Sequence, residues 1–281
     1  MPDADPEIAV VLPGGGARAA YQVGVLRAVA QILGREQRQP FRIICGTSAG
    51  AINAATLAVH ADSFRRGVAR LLRWWRAVEV TGVYRADLAS VSLHGVRWLA
   101  SVLVGAGGPK RAAAMLDNSP LRSVLRGDLE LARVAQQIRD GALRALAINA
   151  TSYTTGQAVT FFQGSPAITA WQRTRRRGES AVIGIDHLLA STAIPFVFPA
   201  GRIGDDYFAD GSVRQIAPLS PALHLGARRI FVVAVGQFTG QIPTARQRAA
   251  PPIPRSRKWP GMRCRPSFLT ISGPTSSGCS A

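Results

Sequence analysis

Phe41-Arg42-Ile43-Ile44-Cys45, then Gly46-Thr47-Ser48-Ala49-Gly50, then Ala51-Ile52-Asn53-Ala54-Ala55-Thr56-Leu57-Ala58: the reading of these consecutive stretches decides the fold. The first is an apolar run of strand character, the last reads as a helix, and a G-x-S-x-G pentapeptide joins them. A serine on a sharp strand-to-helix turn projects its hydroxyl out of the sheet. The small residues Gly46, Thr47, Ala49 and Gly50 around it relieve crowding in a strained turn. The N-terminus of the following helix adds partial positive charge where an alkoxide or oxyanion would form. G-x-S-x-G alone arises by chance in a chain with 28 glycines. The strand before it and the helix after it make Ser48 the leading candidate nucleophile.

A second glycine cluster lies near the start. Ile8-Ala9-Val10-Val11-Leu12 reads as a short strand, followed by Pro13-Gly14-Gly15-Gly16-Ala17-Arg18 and a helical stretch from Ala19 to Leu26. Successive glycines can turn several backbone N–H groups toward one point, because no Cβ blocks their dihedrals or the approach of a ligand. Arg18 adds a cation close by. An oxyanion hole needs donors already aimed where negative charge develops. The rival reading is a dinucleotide fingerprint, since Gly14-x-Gly16-x-x-Ala19 fits G-x-G-x-x-G/A. That reading expects an acid at the end of the second strand. Glu36 precedes that strand instead, and the strand runs into Cys45-Gly46. A third element, Asp206-Tyr207-Phe208-Ala209-Asp210-Gly211-Ser212, reads on its own as a loop with an Asp-Gly turn.

Taken together, Gly14-Gly15-Gly16-Ala17-Arg18, Gly46-Thr47-Ser48-Ala49-Gly50 and Asp210-Gly211-Ser212 resemble the three signature blocks of the patatin-like phospholipase family. Intervening stretches are similar too, among them Leu116-Asp117-Asn118-Ser119-Pro120-Leu121 and Ala190-Ser191-Thr192-Ala193-Ile194-Pro195-Phe196. The likeness runs collinearly over residues 7–238. It implies a Ser–Asp dyad rather than a triad, with Ser48 as nucleophile and Asp210 as its partner. It also implies an oxyanion hole in the loop of Gly14, Gly15 and Gly16. Two positions depart from the family pattern. Ala19 stands where a glycine is usual, which a helical backbone tolerates. Ser212 stands where Gly or Ala follows Asp-Gly, and its hydroxyl can hydrogen-bond the aspartate and lower its basicity.

The chain of 281 residues is long enough to bury one large α/β core. Strands are expected near residues 8–12, 41–45, 143–149, 159–162 and 230–235, with helices between several of them. Such alternation predicts a mostly parallel central sheet with helices on both faces, a three-layer patatin-like architecture. The nucleophile would then sit at the carboxyl end of a strand, where ligand sites of open α/β sheets collect. Residues 62–140 read as a helical insertion suited to an acyl-pocket wall or lid. From residue 241 to 281 the chain is rich in Pro, Arg and Ser, contains no acid, and shows no helical or strand periodicity. It reads as a disordered or altered end.

The formal charge of +18 invites a nucleic-acid or anionic-membrane partner. Only Lys110 and Lys258 are lysines, an arginine bias that GC-rich coding produces without selection for a partner, and no nucleic-acid-binding motif accompanies it. The stretch from Phe64 to Arg76 groups Phe64, Val68, Leu71, Leu72 and Trp75 on one helical face with arginines on others. It fits a core-facing helix better than a helix lying in lipid headgroups, which remains open. No apolar run is long enough to span a bilayer, and residues 1–7 lack the form of a secretory signal, so a cytoplasmic location is expected. Cys45, Cys264 and Cys279 are too few and too irregular for a disulfide framework, and Cys45 reads as a small buried thiol. No metal spacing is seen. His60, His94, His187 and His224 have no acid placed to orient them as bases.

The expectation is therefore a serine-dependent lipid acyl hydrolase without metal or organic cofactor, acting on acyl lipids. Acyl transfer and thioester hydrolysis share its chemistry. A dinucleotide-binding oxidoreductase and a catalytically impaired lipid-surface binding protein are the rivals from other classes.

Overall fold

Strand β1 (Ile8–Leu12) is a run of apolar, mostly β-branched residues, and all but its first residue are buried. Strands β2 (Ile43–Thr47) and β3 (Ala145–Ser152) are buried along their whole length. Continuous burial without polar alternation is what a parallel strand covered on both faces requires. The three pair in parallel, and β9 (Arg229–Ala234) extends the parallel set on the far side of β1. The computed structural model from which this architecture is read describes residues 7–34, 39–84, 114, 116–215, 218–235 and 267–272.

Further strands, paired antiparallel except for one parallel pair (residues 158–162 with 176–180), complete the sheet. β4 (Ala158–Gly164) turns back along β3, followed by β5 (Trp171–Arg173) and β6 (Arg176–Ser180), and with β10 (Ser267–Ser272) at the other edge the path runs β10-β9-β1-β2-β3-β4-β6-β5. β7 (Gly201–Ile203) and β8 (Asp206–Asp210) form a hairpin attached to the end of β3. Each strand inferred from sequence is present, β1 with the expected ends and the others displaced at their ends by one to three residues.

Two readings need correction. Asp206–Asp210 is a strand and not a loop: Ala209 and Asp210 pair with Thr151 and Ala150, and Phe208 is buried. Its short run of three apolar residues lies between turn residues, so the turn signal dominates in sequence. The second correction concerns the C-terminal segment, where Ser267–Ser272 forms β10, antiparallel to β9. Backbone N–H and C=O groups on the open side of β9 accept any extended segment, whatever its side chains. The rest of residues 241–281 lies outside the described residues, as does Glu36.

Helices cover the two faces unequally. On one face α1 (Ala20–Ile32), α2 (Ala49–Val59), α3 (Phe64–Ala77), α6 (Arg133–Arg139) and α7 (Ile185–Ser191) pack on Val10, Leu12, Ile44, Leu146 and Ile148. On the other, α8 (Leu219–His224) and the ring of Trp171 cover Ala9, Val11, Ile43, Cys45, Ala147 and Phe162. The alternation of odd and even positions between these sets is the period of a strand. Between residues 62 and 140 the described residues are mainly helical, adding α4 (Val80–Val83) and α5 (Ser119–Asp128).

α2 is buried on every side, so it carries no charged residue and is rich in alanine with a few larger apolar side chains. α3 shows the opposite design. Phe64, Val68 and Leu71 are buried, Leu72, Trp74 and Trp75 pack partly against the core, and Ser63 accepts the Arg66 N–H as the N-cap. Its apolar face is thus engaged within the protein, the core-facing alternative for this helix. Among the described residues no helix is long and apolar enough to cross a membrane.

Candidate active site

Ser48 stands between the end of β2 and the start of α2, with φ 55° and ψ −131°. A side chain at positive φ costs on the order of 1–3 kcal/mol and persists only where the surroundings impose it. Here they do so by close packing. A Cβ on Gly46 would lie 2.6 Å from Ala51 Cα and from Ala54 Cβ. One on Gly50 would overlap the Leu12 carbonyl oxygen. Both flanking glycines are therefore required for α2 to fold back across β1 and β2. Thr47 is fully buried, and its hydroxyl accepts from Asn149 Nδ2 at 3.1 Å, tying the elbow to β3.

Asp210 ends β8 beside Ser48. Its Oδ1 accepts the Ser212 N–H at 2.7 Å, and its backbone N–H donates to the Ala193 carbonyl at 2.8 Å. The side chain is buried, and burial raises its pKa above the ordinary carboxylate value; hydrogen bonds from the Ser48 hydroxyl, the Ser212 N–H and the Ser212 hydroxyl oppose that rise. A carboxylate held in this way is a stronger base than one in water, and it faces the serine whose proton it would take. Gly211 follows with no room for a side chain, since a Cβ there would overlap the Asn149 carbonyl oxygen.

The first glycine loop closes over this pair. A Cβ on Gly14 would come within 3.0 Å of Ser48 Cβ and would overlap the Ser212 hydroxyl. Gly15 lies against Val235, and Gly16 has φ +56°, the left-handed conformation that favours glycine. Among the described residues none accepts a hydrogen bond from the N–H of Gly14 or Gly15, so these donors can serve a ligand oxygen. A short 3-10 turn, Gly16–Ala19, leads into α1, and within it the exposed Arg18 donates from its backbone N–H to Gly15 O at 3.2 Å. Ala19 has φ −64° and ψ −13° and is buried, so the helical backbone expected there is present and glycine is not needed.

A polar network that sequence reading missed holds this loop. Gln22, fully buried, donates to Pro13 O at 2.8 Å and to Val233 O at 3.2 Å. Its carbonyl accepts from Asn53 Nδ2 at 2.9 Å, and Asn53 Oδ1 accepts from Trp75 Nε1 at 2.8 Å. α1, α2 and α3 are thereby locked to the loop that carries Gly14. The one available signal was a glutamine and an asparagine at positions where helical burial predicts apolar residues.

The remaining candidates lie elsewhere. Cys45 is fully buried, and burial pushes its thiol up to about 12, so it is an inert packing residue. His60 follows α2 at the end opposite Ser48, His187 Nδ1 accepts the Gly184 N–H at 3.0 Å, and His224 stacks on Trp171. Burial lowers the pKa of all three. His94 is outside the described residues. Among the described residues no three His, Cys, Asp or Glu side chains cluster as metal ligands.

Comparison with known proteins bears on the family of the chain. The family model described as patatin-like phospholipase matches residues 10–223. Among curated proteins, the chain is similar to a cGAMP-activated phospholipase of Pseudomonas aeruginosa, 28% identical over 215 residues, which cover 76% of this chain and 55% of that protein. The chain thus spans about half the length of that relative. Among solved structures, VipD from Legionella pneumophila aligns with 87% of this chain and 52% of its own, at a TM-score of 0.47 and 14% identity.

Proposed function

The chain belongs to the patatin-like phospholipase family, and from that premise we propose that it is a serine-dependent lipid acyl hydrolase using a Ser48–Asp210 dyad. The observation that carries this reading is the meeting of three separate segments. A strained Ser48, a buried Asp210 carboxylate hydrogen-bonded by it, and a glycine loop packed against Ser48 and Ser212 converge at one point.

In the proposed reaction Ser48 Oγ attacks the ester carbonyl carbon while Asp210 takes the hydroxyl proton. The tetrahedral oxyanion is held by the N–H groups of Gly14, Gly15 and Gly16, with Arg18 adding positive charge nearby. Collapse expels the alcohol, which receives the proton from Asp210, and leaves an acyl-Ser48 ester. Water then attacks that ester as Asp210 accepts its proton, and collapse returns the proton to Ser48 and releases the fatty acid. Acyl transfer to another alcohol, or hydrolysis of a thioester, would use the same groups.

The test is fatty-acid release from a panel of phospholipids, lysophospholipids and neutral acyl esters. Release by the wild type, and retention of most activity by alanine variants of His60, His94, His187 and His224, is expected. Loss of activity on removal of one histidine would replace the dyad with a triad.

For contact with an anionic lipid surface, the end of the sheet that carries Ser48 is a better candidate than α3. Thr47 pairs with Asn149, Thr151 with Ala158, and Ala158 with Arg176, so the β5–β6 turn lies at that same end. It exposes Arg173, Arg175 and Arg176, and the same end exposes Tyr153 and Val213. Asp205 and Asp206 share it, the former paired with Arg202. Sedimentation with vesicles containing phosphatidylglycerol, but not with phosphatidylcholine alone, is expected, and should weaken when the three arginines are changed to Glu. Equal sedimentation of that variant would remove this face from consideration.

A further inference from the structure

We propose that residues 191–193 form a clamp that sets the separation of nucleophile and base, with Ser191 as a positioning residue acting through the backbone of Ser48. The inference rests on the reading of Ser48 and Asp210 as a dyad and adds what aligns them.

Ser191 is the last residue of α7 and is fully buried. Its Oγ accepts the Ser48 backbone N–H at 2.8 Å and donates its own proton to the Asn149 carbonyl at 2.6 Å. Two residues on, the Ala193 carbonyl accepts the Asp210 backbone N–H at 2.8 Å. One three-residue segment therefore holds the main chain of both members of the dyad, although they are far apart in sequence. The Ser48 N–H is committed to this bond, so the oxyanion donors must come from elsewhere, as the glycine loop provides.

The clamp is itself immobilised. Asn149 belongs to β3, and its side chain donates to Gly46 O at 3.2 Å and accepts from Thr160 Oγ1 at 2.7 Å. α7 is fixed by the burial of Leu188, Leu189 and Ala190, and Gly201 packs so closely on Ala190 that a Cβ would overlap its backbone. Thr192 Oγ1 closes the helix end on the carbonyls of Leu188 and Leu189, each at 3.1 Å. The groups that hold Ser191 are themselves anchored, so the positive φ of Ser48 is maintained by a hydrogen bond with rigid support. Removing the Ser191 hydroxyl frees the Ser48 peptide to rotate and its Oγ to drift from Asp210. Misplacement of a reacting group by about 1 Å costs about 100-fold in rate.

The experiment compares Ser191→Ala with wild type in hydrolysis of a soluble ester and in amide hydrogen exchange of residues 43–52 and 206–213. A kcat lower by about 10- to 100-fold per folded molecule, with KM within about twofold, and faster exchange in both segments are expected. Ser191→Cys keeps the volume but weakens both hydrogen bonds, and is read in the same way if the alanine protein does not fold. A kcat within twofold of wild type, or a lost kcat with unchanged exchange, overturns the proposal. If the wild type hydrolyses no ester, the proposed function fails while the exchange result still decides whether residues 191–193 clamp the two segments.

Discussion

Replacing Ser48 by alanine is expected to abolish ester hydrolysis, by about 10⁴-fold or more, while leaving the fold in place. The two-step reaction passes through a covalent acyl-enzyme, and no neighbouring group can substitute for Ser48 Oγ. Cys45 is held protonated by burial, and the Ser212 hydroxyl belongs to the aspartate's own hydrogen-bonding shell. Alanine suits the elbow sterically, since the contacts that impose the turn come from Gly46 and Gly50. Circular dichroism and the melting temperature should match those of the wild type, while p-nitrophenyl ester turnover falls to background. Turnover at a comparable rate would show that Ser48 is not the nucleophile.

Replacing Asp210 by asparagine is expected to lower kcat/KM by about 10²- to 10⁴-fold, the loss typical of removing a general base. Stability should respond in the opposite direction. Burial raises the Asp210 pKa above the ordinary value of an unfolded aspartate. The contribution of this group to stability is therefore full below that unfolded value and lost as pH rises through the higher folded value. At pH 7 the ionised carboxylate is a cost that asparagine removes, so the melting temperature should stay level or rise. The same shift moves the acid limb of the wild-type rate profile upward in pH, activity falling as pH drops and Asp210 takes up its proton. A marked fall in melting temperature in Asp210→Asn, or retained activity, would contradict this account of the base.

The elbow and the glycine loop were legible in the sequence because each is local. Gly46 to Gly50 carries within five residues both the small side chains and the strand-to-helix context that the turn needs. Asp210 was legible only through resemblance, since Asp-Gly between turn residues reads as another turn until β8 is seen pairing with β3. Ser191 lies in a stretch that resembles the family, but its positioning role could not be read. Its partner lies 143 residues away, and a serine at the end of a short helix has no sequence mark that separates a structural hydroxyl from a surface one. Gln22 and Asn53 were similarly hidden, because their bonds join α1, α2 and the loop through tertiary packing. β10 escaped for a different reason. Its pairing with β9 is made by main-chain groups, which any extended sequence supplies.

The central claim is that Ser48 is an activated nucleophile, and covalent labelling tests it most directly. The wild-type protein would be incubated with a fluorophosphonate, digested with trypsin, and the peptide spanning residues 43–65 sequenced by mass spectrometry. One phosphonyl group on Ser48, with fluoride expelled as Asp210 takes the serine proton, is the predicted result, and the Ser48→Ala protein should carry none. An adduct on another residue that accompanies loss of esterase activity, or no adduct on a protein that hydrolyses esters, would contradict it.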